Sequence, residues 1–210
     1  MMAVADNLLE LLKEIPSSVS LVAVSKFKPA EDIMAAYAAG QRRFGENRPQ
    51  ELAAKAAALP SDIEWHFIGH LQTNKIKFVL PYASLIESVD SMHLLLAISA
   101  AAVAQGRRVD CLLEVHVAAE ESKTGFTPDE ALAVAASAAD YPGVRLRGIM
   151  AMATNTSDED RIRADFRRAH EVQLAAGLPE LSMGMSGDWR IACEEGATII
   201  RIGSAIFGAR

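Results

Sequence analysis

The first strand–helix–strand unit of the chain is the stretch SLVAVSKFKPAEDIMAAYAAGQRRFG, which runs from residue 20 to residue 45. It opens with an apolar run typical of a buried strand, since five of the six residues over Val19–Val24 are apolar. A helical pattern follows over Pro29–Ala39 and ends at Gly40, a residue type that commonly stops helices. The next predicted strand begins at Arg43. This order predicts two parallel strands with the helix packed outside them.

The same alternation continues along the chain. The predicted strands lie near Ser20–Ser25, Arg43–Gly45, Glu64–Ile68, Leu85–Ser88, Cys111–Val117, Arg145–Met152, Glu180–Met183 and Ile199–Ile202. The helical patterns lie near Ala5–Glu14, Pro29–Ala39, Arg48–Leu59, Asn74–Val79, Ser91–Gln105, Pro128–Ala139, Asp158–Ala176 and Asp188–Glu195. A helix after each of the first seven strands predicts an α/β fold: a single (β/α)8 TIM barrel over residues 1–210, with an extra N-terminal helix. A doubly wound open sheet is the alternative.

The composition limits the classes of function. The chain has 210 residues, half of them apolar, and 21 Lys and Arg against 27 Asp and Glu give a formal net charge of −6. A nucleic-acid-binding protein usually carries a basic face, so nucleic acid is not an expected partner. No secretory leader and no apolar run of membrane-spanning length occur, which predicts a cytoplasmic protein without a membrane partner. Cys111 and Cys193 lie far apart, and no metal-ligand spacing predicts a metal site.

Lys26 follows the first predicted strand, directly after Ser25. A lysine at the mouth of a buried strand loses hydration, and desolvation favours the neutral, nucleophilic amine. Such an amine can form a Schiff base with a carbonyl substrate or with pyridoxal 5'-phosphate (PLP). Many lysines at strand ends are simply solvated. Whether Lys26 is reactive or solvated therefore has to be judged from the residues at the other strand ends.

Two Gly–Ser groups follow the last two predicted strands. Gly184, Ser186 and Gly187 come after the seventh strand, and Gly203 and Ser204 come after the eighth. In barrels of this type, the loops after strands seven and eight often bind phosphate. Glycines allow the backbone to approach a ligand closely, and serines add hydroxyl donors. Turns use the same residues for other reasons, but two such groups at neighbouring strand ends favour a phosphate site.

Arg201 lies within the eighth predicted strand, two residues before Gly203. A buried arginine needs a partner, which is either a barrel carboxylate such as Glu114 or a ligand atom beside the phosphate. His66 lies within an apolar strand, where a histidine is more often a hydrogen-bonded core residue than a ligand-binding one. The residues alone leave both alternatives open.

Five segments combine these features in one order along the chain. They are Ala23–Pro29 (AVSKFKP), Phe44–Asn47 (FGEN), Trp65–Lys75 (WHFIGHLQTNK), Ser182–Ser186 (SMGMS) and Ile200–Gly208 (IRIGSAIFG). Together they resemble the YggS/PROSC family of PLP-homeostasis proteins, and Lys123-Thr-Gly125 fits that family's Lys-x-Gly segment after strand five. The chain departs from the family pattern at Phe27, where threonine is frequent, and at His116, where asparagine is common. Ser204 replaces a frequent threonine and keeps the hydroxyl.

The resemblance implies a barrel like the N-terminal domain of bacterial alanine racemase. It implies PLP held as an internal aldimine on Lys26, with Lys28 as an auxiliary lysine. Arg201 would face the pyridine nitrogen and leave it unprotonated. The implied phosphate ligands are Ser186, Gly203 and Ser204, and the residues implied to line the ring pocket are Asn47, His66 and Met183.

The implied function is PLP homeostasis, in which a monomeric carrier buffers PLP and delivers it to apo PLP-dependent enzymes. Racemisation needs proton donors on both faces of the substrate carbon. Alanine racemase obtains the second donor from a tyrosine of a further domain, which we do not expect here. The tyrosines Tyr37, Tyr82 and Tyr141 all fall away from predicted strand ends. No residue is therefore assigned as catalytic. The alternatives are a low-activity amino-acid racemase, with Lys26 catalytic and His66 or water as second acid/base, and a Schiff-base aldolase.

Overall fold

The computed structural model describes residues 2–118 and 124–208, so Lys123 lies outside the described residues. Eight parallel strands close into a barrel in chain order, each pairing with the next. They are β1 Ser20–Val24, β2 Arg43–Glu46, β3 Glu64–Phe67, β4 Ala83–Val89, β5 Val109–Glu114, β6 Val144–Met150, β7 Glu180–Ser182 and β8 Ile199–Ile202. Pairing of β8 with β1 closes the sheet, with Val22 opposite Arg201. The predicted (β/α)8 barrel is confirmed, and the open sheet is excluded.

Helices connect the strands on the outside of the barrel. They are α1 Met2–Glu14, α2 Ala30–Ala38, α3 Pro49–Ala58, α4 Ile76–Val79, α5 Met92–Ala104, α6 Pro128–Ala136, α7 Glu159–Ala176, α8 Trp189–Glu194 and α9 Ser204–Phe207. Short 3-10 turns cover Thr73–Lys75 and Ala138–Asp140. Local signals set several helix ends: Thr127 and Glu130 form a capping box at the start of α6, and Gly177 ends α7 in the left-handed conformation.

The sequence did not predict α9, which follows β8. Its four residues are too few to show a helical period. The N-terminal helix α1 packs against α2 and α9. Asn7 Nδ2 donates a hydrogen bond of 3.1 Å to the carbonyl oxygen of Ile206. The extra helix therefore supports the segment that follows the last strand.

The core has two layers. A large apolar layer lies between the strands and the helices, and a small cluster fills part of the barrel interior. The interior cluster consists of Val22, Leu85, Leu112, Met150 and Ile199. Buried polar side chains share the interior, so the inside of this barrel is a packed mixture of apolar and polar groups. None of the helices in the described ranges combines the length and apolar character that crossing a lipid bilayer requires.

Candidate functional site

A cavity of about 310 Å³ lies at the end of the barrel where the strands terminate. Seven of the nine residues that the sequence pointed to border it: Lys26, Lys28, Asn47, Ser186, Arg201, Gly203 and Ser204. Its volume is at the lower end of the range for small-molecule sites, about 300–1,000 Å³. The C-terminal face of such a barrel is where ligands bind. The structure therefore collects these polar residues, from distant parts of the chain, around one ligand-sized space.

The apolar wall of the cavity was not predicted. It is formed by Val24, Ile68, Met150, Met152 and Met185. Met150 and Met152 stand two residues apart at the end of the sixth predicted strand, so strand alternation could have assigned both to one face. Flexible methionine side chains adapt to ligands of irregular shape.

Lys26 is half-buried and lies in the turn that follows β1. The turn is closed by a hydrogen bond of 3.0 Å from the backbone N–H of Lys28 to the carbonyl oxygen of Ser25. Between them, Phe27 adopts φ 63°, a left-handed conformation that costs a bulky residue energy. Its backbone N–H donates to Glu51 Oε1 at 2.6 Å. A side chain of α3 therefore stabilises this backbone conformation next to Lys26.

A buried ion pair lies behind this turn. Lys55 Nζ donates to Glu46 Oε1 and Glu51 Oε1, both at 2.7 Å, and to the Ser25 carbonyl oxygen at 2.8 Å. Ser25 Oγ also donates to Glu46 Oε1, at 2.6 Å. Burial raises the pKa of the Glu46 carboxyl, while its hydrogen bonds with Lys55 and Ser25 oppose the rise. This network fixes the end of β1 against α3.

The two predicted phosphate loops meet at the side of the cavity next to the end of β1. Ser186 Oγ and Ser204 Oγ lie 3.1 Å apart, one after β7 and one at the start of α9. A Cβ atom at Gly203 would lie 3.1 Å from the Val24 carbonyl oxygen, so a glycine permits this close approach. Lys28 Nζ donates to the carbonyl oxygen of Phe207 at 2.9 Å. Two hydroxyls and a lysine therefore line this side and can bind an anion.

Asn47 follows β2 and contributes an unusual atom to the site. Its Oδ1 is buried and accepts no hydrogen bond from any described residue. Buried polar atoms are almost always hydrogen-bonded, and an exception needs an explanation. Since Asn47 borders the cavity, a bound ligand with a donor group can satisfy this atom.

Arg201 forms the polar floor of the cavity and is only 5% exposed. Its Nη1 donates to Ser182 Oγ at 2.5 Å, and its Nη2 donates to the carbonyl oxygen of Ala151 at 3.0 Å. The paired carboxylate is Glu87, whose Oε2 lies 3.7 Å from Nη1. Glu114 was named above as an example of a carboxylate partner. Burial lowers the pKa of Arg201, and the charge of Glu87, followed by that of Glu114, opposes this shift. The sequence offered one signal for this pairing: Glu87 is an acidic residue within the largely apolar predicted strand around Leu85–Val89.

Two of the residues implied for the ring pocket, His66 and Met183, do not border this cavity. His66 is 4% exposed and lies towards the N-terminal end of the barrel, beside Arg43, Asp110 and Arg147. Its Nδ1 is 2.6 Å from Glu87 Oε1. It is therefore a hydrogen-bonded interior residue. For a histidine in an apolar strand, the sequence favoured this role over ligand binding.

Met183 is the second residue that does not border the cavity. Because β7 ends at Ser182, whose side chain faces the interior, alternation turns the next side chain outward. Met183 is fully buried in the layer between strands and helices, and Met185 borders the cavity instead. His116, where the chain departs from the family pattern, borders a neighbouring cavity of about 300 Å³. Met152 and Met185 border the same cavity.

Comparison with known proteins agrees with this architecture. The family model described as "Alanine racemase, N-terminal domain" matches residues 1–210. An alanine racemase structure from E. faecalis superposes with a TM-score of 0.80 at 18% identity, and the match covers 99% of this chain and 58% of that chain. At that identity the likeness concerns the fold alone.

Relatives of higher identity match most of the chain. The chain is 41% identical over 198 residues to the pyridoxal phosphate homeostasis protein of Pseudomonas aeruginosa, covering 93% of this chain and 86% of the relative. It superposes on PipY of Synechococcus elongatus, a structure solved with PLP bound, with a TM-score of 0.90 and 39% identity, covering 98% of this chain and 100% of that chain. With its barrel, its strand-end cavity and these matches, the chain belongs to the pyridoxal phosphate homeostasis protein family, which is built on the alanine racemase N-terminal domain.

Proposed function

We propose that one domain spanning residues 1–210 binds PLP in the strand-end cavity and serves PLP homeostasis, by buffering the cofactor and delivering it to apo PLP-dependent enzymes. The name shared by the curated relatives and the PLP-bound structure of PipY support this proposal. The observation that carries it is the placement of Lys26 in a cavity that also holds Ser186, Ser204 and Arg201. A cytoplasmic location and a monomeric state belong to the same proposal.

The residues of the cavity fit the chemical groups of PLP. Lys26 supplies the amine to which the aldehyde attaches, and Ser186, Gly203 and Ser204 supply hydroxyls and close backbone approach for the phosphate. The buried Oδ1 of Asn47, which accepts nothing from the described chain, is an acceptor for a ligand donor. When bound, PLP supplies an electrophilic aldehyde and an aromatic ring that can withdraw electrons.

Arg201 limits that electron withdrawal. A guanidinium keeps its proton at physiological pH and can only donate hydrogen bonds. If it faces the ring nitrogen of bound PLP, as the family resemblance implies, it would donate to an unprotonated nitrogen and would not protonate it. A carboxylate at the same place would favour the protonated ring, because it accepts a hydrogen bond from the ring N–H. The choice of arginine therefore suits cofactor binding better than demanding carbanion chemistry.

The lining of the cavity also favours a carrier over a racemase. Among the described residues that border it, the ionisable ones are Lys26, Lys28 and Arg201. His66, considered as a second acid/base, is bound to Glu87 away from the cavity. Tyr37 is bound to Asp62, and Tyr141 lies near Ser137. A racemase would need a second proton donor opposite Lys26. Among the other described lining residues with a proton to give, Lys28 donates to the carbonyl oxygen of Phe207, Arg201 is held by Ser182 and Ala151, and Ser186 and Ser204 lie at the predicted phosphate side.

The experiment combines binding with delivery. Purified protein is titrated with PLP and followed by its visible absorbance, and the loaded protein is then mixed with an apo-aminotransferase. We expect a yellow protein that restores aminotransferase activity in the presence of a trap for free PLP. Lys26→Ala abolishes the absorbance, while Lys77→Ala, at an exposed lysine of α4, does not.

Three results would contradict the proposal. They are the absence of bound PLP, failure to activate the apo-enzyme, and Lys26-dependent exchange of the alanine Cα proton for deuterium at enzymatic rates. The last result would establish the racemase alternative. Size-exclusion chromatography of the same sample tests the proposed monomeric state.

A further inference from the structure

A continuous chain of buried hydrogen bonds runs through the barrel interior below the cavity. Glu87 of β4 lies at its centre and is fully buried. Its Oε1 is 2.6 Å from His66 Nδ1 of β3, and its Oε2 accepts from Ser182 Oγ of β7 at 2.5 Å. The Ser182 hydroxyl in turn accepts from Arg201 Nη1 of β8 at 2.5 Å. The chain thus connects four strands and ends at the cavity floor.

Glu87 is held in its ionised form by this arrangement. Burial raises the pKa of its carboxyl, but the hydrogen bond and charge of His66, the charge of Arg201 and the Ser182 hydroxyl together bring that pKa below its usual range. A carboxylate only accepts hydrogen bonds, so His66 Nδ1 carries the proton in the contact with Oε1. Both carboxylate oxygens are therefore used.

The same contacts fix the guanidinium of Arg201. A buried cation that loses its counter-charge is strongly disfavoured, and among the described residues the carboxylate paired with Arg201 is that of Glu87, at 3.7 Å. The bonds to Ser182 Oγ and to the carbonyl oxygen of Ala151 occupy two of the five N–H donors and hold the planar group at two points. A plane held at two points can present its remaining edge to the cavity in one orientation.

We propose that Glu87, acting through Ser182, is a positioning residue for Arg201 and thereby sets the contact of Arg201 with the ring nitrogen of PLP. This inference rests on the proposed function. Glu87 does not border the cavity within the described chain, so its effect on the ligand passes through Arg201. Its removal should weaken recognition of the ring nitrogen and leave recognition of the phosphate and aldehyde intact.

A ligand pair isolates that contact. PLP and its deaza analogue, in which a C–H group replaces the ring nitrogen, share the aldehyde and the phosphate. We expect the wild-type protein to bind PLP about tenfold more tightly than the analogue, since one hydrogen bond to a charged donor distinguishes them. Arg201→Met should remove this preference and serves as the reference variant.

Glu87→Gln keeps the shape of the side chain and removes its charge. We expect it to lose most of the tenfold preference, through weaker PLP binding, while affinity for the deaza analogue stays within about twofold of wild type. Asp110→Asn is the matched control, because Asp110 is a barrel carboxylate paired with Arg145 at the other end of the barrel. It should leave the preference unchanged.

Other outcomes overturn the inference. Equal loss of both ligands in Glu87→Gln would indicate a purely structural role, and an unchanged preference would show that Arg201 does not depend on Glu87. If Glu87→Gln is recovered unfolded, Ser182→Ala tests the same link, since it removes the hydroxyl between Glu87 and Arg201; it should show the same selective loss. If the wild-type protein binds PLP but does not prefer it over the analogue, the inference about Glu87 is wrong and the proposed PLP binding still stands. If it binds neither ligand, the proposed function itself is wrong.

Discussion

Lys55 of α3 donates a hydrogen bond of 2.8 Å to the carbonyl oxygen of Ser25, the residue directly before Lys26. The same ammonium pairs with Glu46, whose carboxylate is fully buried, while the Lys55 side chain is 12% exposed. One lysine therefore neutralises a buried charge and holds the backbone that presents another lysine to the cavity.

Lys55→Met should destabilise the protein by about 3 kcal/mol at pH 8, because it leaves the Glu46 carboxylate buried without a counter-charge. The loss is measured as the free energy of unfolding from urea titrations. Lys13→Met is the control, since Lys13 and Glu10 form a pair that is largely exposed to solvent. That substitution should change the stability by no more than the error of the measurement.

The loss in Lys55→Met should depend on pH. In the wild-type protein burial already raises the pKa of Glu46 above its usual value near 4.5, and Lys55 opposes this rise. Without Lys55 the pKa rises further, so the variant pays an increasing penalty as the pH rises from about 4.5 through the folded-state pKa. We expect a smaller difference from wild type at pH 5 than at pH 8. A difference that is equal at both values would contradict the assignment of the loss to Glu46.

Ser204→Ala should weaken PLP binding by about five- to tenfold and leave the affinity for pyridoxal, which lacks the phosphate, within about twofold. The reason is that Ser204 and Ser186 place their hydroxyls 3.1 Å apart at the predicted phosphate side of the cavity. Isothermal titration with both ligands measures the ratio. Equal weakening of the two ligands would place the phosphate elsewhere.

Phe27→Asn should be more stable than Phe27→Val by about 1 kcal/mol. Phe27 has φ 63°, which asparagine tolerates and a β-branched side chain does not. Both substitutions remove the contact of the Phe27 ring with the Arg48 guanidinium, 4.4 Å from the ring centroid, so that loss cancels in the comparison. Thermal unfolding of the two variants side by side provides the measurement, and the reverse order of stability would exclude strain at this turn.

The barrel could be predicted from the sequence because its signals are local. Apolar runs, helical patterns and stop residues such as Gly40 recur in strict alternation, and each is visible without knowledge of distant residues. The cavity residues next to strand ends, such as Lys26 and Ser204, followed from the same reasoning, since a barrel of this type brings all strand ends to one face.

The interior network could not be predicted in the same way. The pairing of Glu87 with Arg201 depends on which face of each strand points inward and on the height of each residue along the barrel axis. Both follow from the strand register around the closed sheet, which has irregular steps next to β4. The same uncertainty in height explains why His66 was expected at the cavity and lies towards the other end of the barrel.

The most direct test of the account is the site at which PLP attaches. The protein is loaded with PLP, treated with sodium borohydride, which converts a lysine–PLP linkage into a stable secondary amine, and digested for peptide mapping by mass spectrometry. We expect the pyridoxyl group on Lys26, and its loss in Lys26→Ala. A modified lysine other than Lys26 in the wild-type protein, or a peptide map without any pyridoxyl group, would contradict the account.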